Sequence, residues 1–147
     1  MDGAPQAVVE RLLAATNAHD LDALVDCFSD DYRNETPAHP GRSFEGRAQV
    51  RANWKQIFAG VPDVTAEITA SVADGDVVWS EWEMKGTRRD GLAHLMRGVI
   101  VFGTADGTIT RARFYLEPVD SGIDNPDQAV RRIVASGSAA PAAAERQ

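Results

Sequence analysis

Three histidines occur in the chain, and only His94 falls in a setting where an imidazole could do chemistry. It alternates with Met96, Gly98, Ile100 and Phe102 along one uncharged side of a strand-like run. An imidazole titrates near neutral pH, so at that position it can take a proton from a carbon or a hydroxyl of a bound molecule. The alternative is a packing role, in which His94 is a hydrogen-bonded residue at a rim. Tyr32, Asn34 and Thr36 share one strand parity and offer a phenol, an amide and a hydroxyl to the same interior. Asn and Thr beside a proline also satisfy local backbone groups, which is the competing reading of that pair. Glu35 and His39 belong to a lid-like loop and read as solvated residues. No metal site is expected, because His19, His39 and His94 lie on different elements with no HxH or HExxH spacing. The single Cys27 excludes an internal disulfide or a multi-cysteine cluster. Gly-rich phosphate loops and a GxSxG elbow are absent, so no cofactor is expected.

The elements that must position these groups follow from periodicity. Pro5 to Asn17 reads as a helix opened by a first-turn proline. Asp20 reads as the N-cap of a second helix whose buried face is Leu21, Leu24, Val25 and Phe28. The segment RNETPAHPGRSFEG after Tyr32 predicts a short strand and then an irregular loop. A third helix, about Arg47 to Ala59, places Val50, Trp54, Ile57 and Phe58 on one stripe, with Trp54 largely buried.

Three tripeptides, Ala73-Asp74-Gly75, Arg89-Asp90-Gly91 and Ala105-Asp106-Gly107, divide the second half into four strands of an antiparallel meander. The strands run from about Val64 to Val72, Asp76 to Arg88, Leu92 to Thr104 and Thr108 to Glu117. One face carries Ala66, Ile68, Val78, Ser80, Trp82, Met84, His94, Met96, Gly98, Ile100, Phe102, Ala112, Phe114 and Leu116, without a formal charge, and is expected to face the helices. Three-residue loops would set Trp82 and Phe114 on either side of Gly98, leaving a notch for a small flat ligand unless Trp82 itself fills it. The candidate ligand-binding set is therefore Tyr32, Asn34, Thr36, Trp54, Phe58, Ser80, Trp82, Met84, Met96, Gly98, Phe114 and Leu116. The same register opposes Glu83 to Arg97 on the outer face. That face mixes charges with Trp79, Val99, Val101 and Tyr115, the composition of a homodimer patch.

The 147 residues suit one domain, with 44% hydrophobic and 25% charged residues placing it among ordinary globular proteins. Fifteen basic against 22 acidic residues give a net charge of −7, which disfavours nucleic acid and anionic lipid as partners. No run has the length of a membrane span, and the start of the chain lacks a signal-peptide pattern. With one cysteine, a cytoplasmic location is expected. Asp124-Asn125-Pro126 reads as a cap and first turn of a short helix through Val134. One domain over residues 1–135 and a disordered tail over residues 136–147 are expected.

The helices followed by a meander, the run NAHDLDALVDCF from Asn17 to Phe28 joined to SDDY at Tyr32, and DGTITRARFY from Asp106 to Tyr115 resemble the nuclear transport factor 2-like superfamily, most closely its SnoaL-like branch. The resemblance covers about residues 5 to 118. It implies an α+β, cone-shaped fold with N-terminal helices packed in a curved, mainly antiparallel sheet and a pocket open at one end, often in a homodimer. The superfamily spans ketosteroid isomerases, polyketide cyclases, epoxide hydrolases and members with no known turnover, so the fold alone does not choose a reaction. Laid on the isomerase pattern, Thr36 stands where that family has its carboxylate base, Leu12 replaces the phenol donor and Gly98 replaces the protonated acid. Phe114 stands where cyclases and epoxide hydrolases place an acid, and Glu117 has the opposite parity. The expectation is a protein that binds a small hydrophobic molecule. As an enzyme it would be a cofactor-free isomerase, cyclase or hydrolase acting on a ring-containing substrate with His94 as base. The alternative is a non-catalytic dimeric binding or accessory module.

Overall fold

Pro5 opens α1 (Pro5–Ala18) in the computed structural model, which describes residues 4–136. The helix ends at His19, whose φ of 54° turns the chain in the left-handed region. Asp20 then accepts the Ala23 N–H at 3.1 Å and opens α2 (Leu21–Asp26), as its sequence position predicts. Phe28 departs from expectation. It starts β1 (Phe28–Glu35) rather than extending α2, because the Ile109 N–H donates to the Cys27 carbonyl at 2.8 Å and draws the chain into the sheet. A single turn of 3-10 helix (Pro40–Arg42) and β2 (Phe44–Glu45) give the expected irregular loop more order than its prolines and glycines suggest. α3 (Arg47–Gly60) follows.

The meander forms β3 (Thr65–Asp74), β4 (Val77–Thr87), β5 (Ala93–Ala105) and β6 (Thr108–Pro118). Strand order is β2-β1-β6-β5-β4-β3, antiparallel except where β1 runs parallel to β6. This is the α+β arrangement of helices in a mainly antiparallel, unclosed sheet.

Turn chemistry decides the register. In the β4–β5 hairpin the Arg88 N–H donates to the Leu92 carbonyl, and Trp82 faces Gly98 as the three-residue loop predicts. Glu83 faces Arg97, with Arg97 Nε 2.7 Å from Glu83 Oε2. The β5–β6 turn differs, because Asp106 and Gly107 both take positive φ, 53° and 76°, and make a two-residue mirror-image turn between Ala105 and Thr108. A bulge between Gly103 and Thr104 then restores the parity two residues out of the expected pairing. Leu116, not Phe114, therefore faces Gly98, and Phe114 faces Ile100. The β3–β4 turn is likewise two residues long, with a register shift between Ile68 and Ala70 returning Ile68 and Ala66 to the inner face.

α1 and α2 fill one end of the sheet's inner face. Val8, Val9, Leu12, Leu24 and Val25 pack with Val78, Trp82, Ile100, Phe102, Ile109 and Ala112, all at most 5% exposed. Burial of side chains this size contributes about 1.5–3 kcal/mol each. Two polar clamps fix the helices to edge strand β3. The Asn17 amide exchanges hydrogen bonds with both backbone groups of Ala66, at 3.0 and 2.7 Å. His19 Nε2 lies 2.7 Å from the Val64 carbonyl while its ring stacks on Phe58 at 4.6 Å.

After β6 the chain leaves the sheet. Asn125 and Gln128 cap each other's backbone N–H groups at 2.9 Å, and Pro126 begins α4 (Pro126–Ser136). Ser136 closes this helix, and the remainder of the expected tail lies outside the described residues.

Candidate functional site

Where α1 and α2 stop short, the inner face of the sheet is covered only by α3 and the loop after β1, and a cavity of about 340 Å³ opens there. That volume is at the lower end of the range for small-molecule pockets. Of the residues singled out in the sequence, Tyr32, Asn34, Thr36, Trp54, Met84, His94, Met96, Phe114 and Leu116 line it. β1, β5 and β6 each contribute alternate residues, as period-two geometry requires, and β4 contributes Met84.

Phe58, Ser80, Trp82 and Gly98 are not brought to its wall. Phe58 is turned toward His19 and Trp54. Trp82 is 2% exposed, and its indole N–H donates to the Ser80 hydroxyl, which donates to the Ile100 carbonyl, each at 2.8 Å. This pair is satisfied core, with Trp82 filling the interior itself. Gly98 is required by the backbone. Its φ is 153°, and a Cβ there would collide with the Tyr115 carbonyl oxygen, so β6 occupies the space that the glycine leaves.

Six further residues complete the wall: Phe28, Arg42, Phe44, Val50, Asn53 and Ile57. Val50, Asn53, Trp54 and Ile57 recur at helical spacing along α3, a signal present in the sequence. Trp54 is half-buried rather than largely buried, because one side of it faces the cavity. Phe28 has the spacing of α2's buried stripe but belongs to β1, and Arg42 carries no periodic signal at all.

The polar part of the site is a chain along β1. The Tyr32 hydroxyl donates to Asn34 Oδ1 at 2.8 Å, and Asn34 Nδ2 donates to Thr36 Oγ1 at 3.4 Å. Burial pushes the Tyr32 phenol well above its ordinary value, so it stays a proton donor rather than a base. The raised value means that its neutral form contributes stability below the unfolded phenol's range, and that contribution is lost as pH rises through the folded value. Thr36 ends the chain with a hydroxyl proton free to point onward. His94 is half-buried on β5, and its ring nitrogens meet no hydrogen-bond partner among the described residues. Among the described residues, no carboxylate lines the cavity.

The loop over the open end is tied down. The Thr36 N–H donates to Ser43 Oγ at 3.3 Å, the His39 N–H donates to the Thr36 carbonyl at 2.8 Å, and His39 Nε2 lies 3.2 Å from Glu117 Oε1. His39, expected to be a solvated loop residue, therefore anchors the loop to β6. Glu117 Oε2 is buried without a partner, and neither residue lines the cavity.

A helix-wrapped sheet with an apolar cavity at one end is the geometry that comparison with known proteins identifies. The family model of the SnoaL-like domain matches residues 9–112. The chain belongs to the SnoaL-like family. Solved structures share the fold of this SnoaL-like protein. IdmH from Streptomyces antibioticus, a candidate polyketide cyclase, is 23% identical with a TM-score of 0.68, over 77% of this chain and 91% of that one. A protein of ketosteroid isomerase-like fold from Catenulispora acidiphila, in complex with trimethylamine, is 23% identical with a TM-score of 0.62, over 74% of this chain and 84% of that one. RV0760c from Mycobacterium tuberculosis, in complex with estradiol-17beta-hemisuccinate, is 19% identical with a TM-score of 0.65, over 84% and 95%. No functionally curated protein matches the chain. Among the described residues, no helix is long and apolar enough to cross a membrane, and no group of three or more His, Cys, Asp or Glu could hold a metal.

Proposed function

We propose that this SnoaL-like protein binds a hydrophobic, ring-containing small molecule in the cavity and transfers a proton on it without a cofactor, in a cyclase- or isomerase-type reaction with His94 as base. The observation that carries the reading is the imidazole of His94, unpartnered among the described residues, on the wall of a largely apolar cavity that no described carboxylate lines. A free ring nitrogen facing a bound molecule can accept its proton, and the Tyr32–Asn34–Thr36 chain offers a hydroxyl donor to an oxygen of the same molecule. Fold neighbours that include a candidate polyketide cyclase and a complex with a steroid ester support a ring-containing ligand.

The second reading is a binding or accessory module without turnover. Thr36, a cavity residue standing where isomerases of this superfamily have their carboxylate base, favours it. In either case the protein is proposed to be a cytoplasmic homodimer with a single domain over residues 1–135. The exposed Trp79 and Tyr115 on the outer sheet face support the dimer.

A thermal-shift panel of steroids, polycyclic polyketides, terpenoid epoxides and simple aromatics, run on wild type and His94→Ala, tests both readings. A ligand at about 100 times its Kd adds about 2.7 kcal/mol, a shift of a few degrees for a domain of this size. The stabilising class is then assayed for turnover. Conversion lost in His94→Ala with binding retained supports the base. Conversion unchanged in the variant removes His94 from that role, and binding without conversion in wild type leaves the accessory module.

A further inference from the structure

Among the described residues, Arg42 is the one permanently charged side chain on the cavity wall. Several neighbouring arginines in the sequence are paired: Arg33 with Glu45 at 2.9 Å, Arg47 with Asp30 at 2.6 Å and Arg51 with Asp22 at 2.9 Å. Arg42 makes no ion pair or side-chain hydrogen bond among the described residues. It is solvent-exposed, and in a chain with 22 acidic and 15 basic residues an unneutralised guanidinium at a cavity lip stands out.

Its backbone is also held. The Arg42 N–H donates to the His39 carbonyl at 2.9 Å, and the flanking loop is fixed to Thr36 and to Glu117. The other polar groups on the wall add donors. Asn53 Oδ1 already accepts from Gln49 at 2.8 Å, which leaves its amide N–H groups free. The Thr36 hydroxyl proton is likewise uncommitted, because its oxygen accepts from Asn34. Most of the remaining wall is apolar, made of Phe, Trp, Met, Leu, Val and Ile side chains with Tyr32, Asn34 and His94 among them.

A cavity that is apolar in its depth, lined by a lone cation and spare donors, and free of carboxylates discriminates by charge. An anionic oxygen pair can take the guanidinium fork while a flat ring lies against Trp54 and Met96, whereas a cationic ligand meets no counter-charge. We infer that the ligand of this cavity is an acid, an aromatic or alicyclic ring bearing a carboxylate, with Arg42 as its anion-binding residue. The inference rests on the cavity being the ligand site, and it narrows that ligand to a charge class.

The test is a titration of 2-naphthoate and its neutral isostere 2-naphthamide at neutral pH, by calorimetry, on wild type, Arg42→Gln and the control Arg33→Gln. Wild type and Arg33→Gln are expected to bind the carboxylate at least about tenfold more tightly than the amide, the range for a hydrogen bond to a charged partner. In Arg42→Gln the two affinities are expected to converge, with the amide unchanged and the thermal midpoint preserved. Equal affinity for the two probes in wild type, or a preference that persists in Arg42→Gln, overturns the acid assignment while leaving the cavity as a ligand site. Failure of both probes to bind overturns the acid assignment and the ligand site together.

Discussion

The inner face of one sheet serves two purposes within a few residues. Toward α1 and α2 it is closed: Ser80, Trp82, Ile100 and Phe102 are at most 2% exposed, and the polar atoms of Ser80 and Trp82 have partners. Toward α3 it is open, and Met84, His94, Met96, Phe114 and Leu116, from the same strands and with the same parity, line a cavity. Strand alternation is identical in the two halves. The difference lies in the helices, because α2 is only six residues long and leaves the rest of the face to α3 and a tethered loop. Function on this fold is thus a matter of where the covering layer ends, not of which strand residues point inward.

Truncation should separate the halves most sharply. Trp82→Ala removes a fully packed side chain and is expected to cost about 3–5 kcal/mol, whereas Trp54→Ala, on the cavity wall, should cost about 1 kcal/mol. Chemical denaturation of the two variants checks this, and equal losses would mean that the cavity half is packed like the core. Gly98→Ala comes next. Its methyl would meet the Tyr115 carbonyl, so about 1–3 kcal/mol should be lost from the β5–β6 pairing even though the position looks from the sequence like part of a ligand notch. A Gly98→Ala protein as stable as wild type would return that space to the ligand.

The smallest effect concerns pH. Asp63 accepts the Thr87 N–H at 2.7 Å and Asp90 accepts the Leu92 N–H at 3.1 Å, and these backbone bonds hold both carboxyls below their ordinary range. A depressed folded value means the stabilisation is present above the unfolded carboxylate range and is lost as pH falls through the folded value. Both bonds brace the β4–β5 hairpin that carries His94. Amide-exchange protection factors followed by NMR during acidification should therefore fall at Thr87 and Leu92 before they do at Ile100. Simultaneous loss of protection would show the two halves to be one cooperative unit.

Much of the fold was legible in the residues. Asp20, Pro5, Asn125 and Pro126 mark helix starts by local chemistry, and a local signal survives whatever the tertiary structure does. The β4–β5 register was equally local, fixed by Gly91 at the third position of its loop. The β5–β6 register was not, because an Asp-Gly pair fits either a two- or a three-residue turn, and only the pairing of the long strands selects positive φ at Asp106. The site divides in the same way. Tyr32, Asn34, Thr36 and His94 could be found by parity, since alternation alone decides which way they face. Trp82 and Gly98 could not be sorted from them, because both neighbouring helices and the close approach of β6 decide whether an inward residue meets protein or space. Arg42 lay further out of reach. Its place at the cavity depends on a loop fixed by hydrogen bonds, among them the contact of His39 with Glu117, 78 positions away.

The pairing of β1 with β6 bears on how the molecule is made. These strands are the first and last of the six described, yet they lie side by side and jointly supply Tyr32, Asn34, Phe114 and Leu116. Contacts so distant along the chain are slow to form, because a long loop must close before they are rewarded. During synthesis the hairpins can assemble as they emerge, while the wall formed by β1 and β6 must wait for the final strand. The capacity to hold a ligand therefore arrives at the end of folding, and an incomplete chain has helices and hairpins but no binding site.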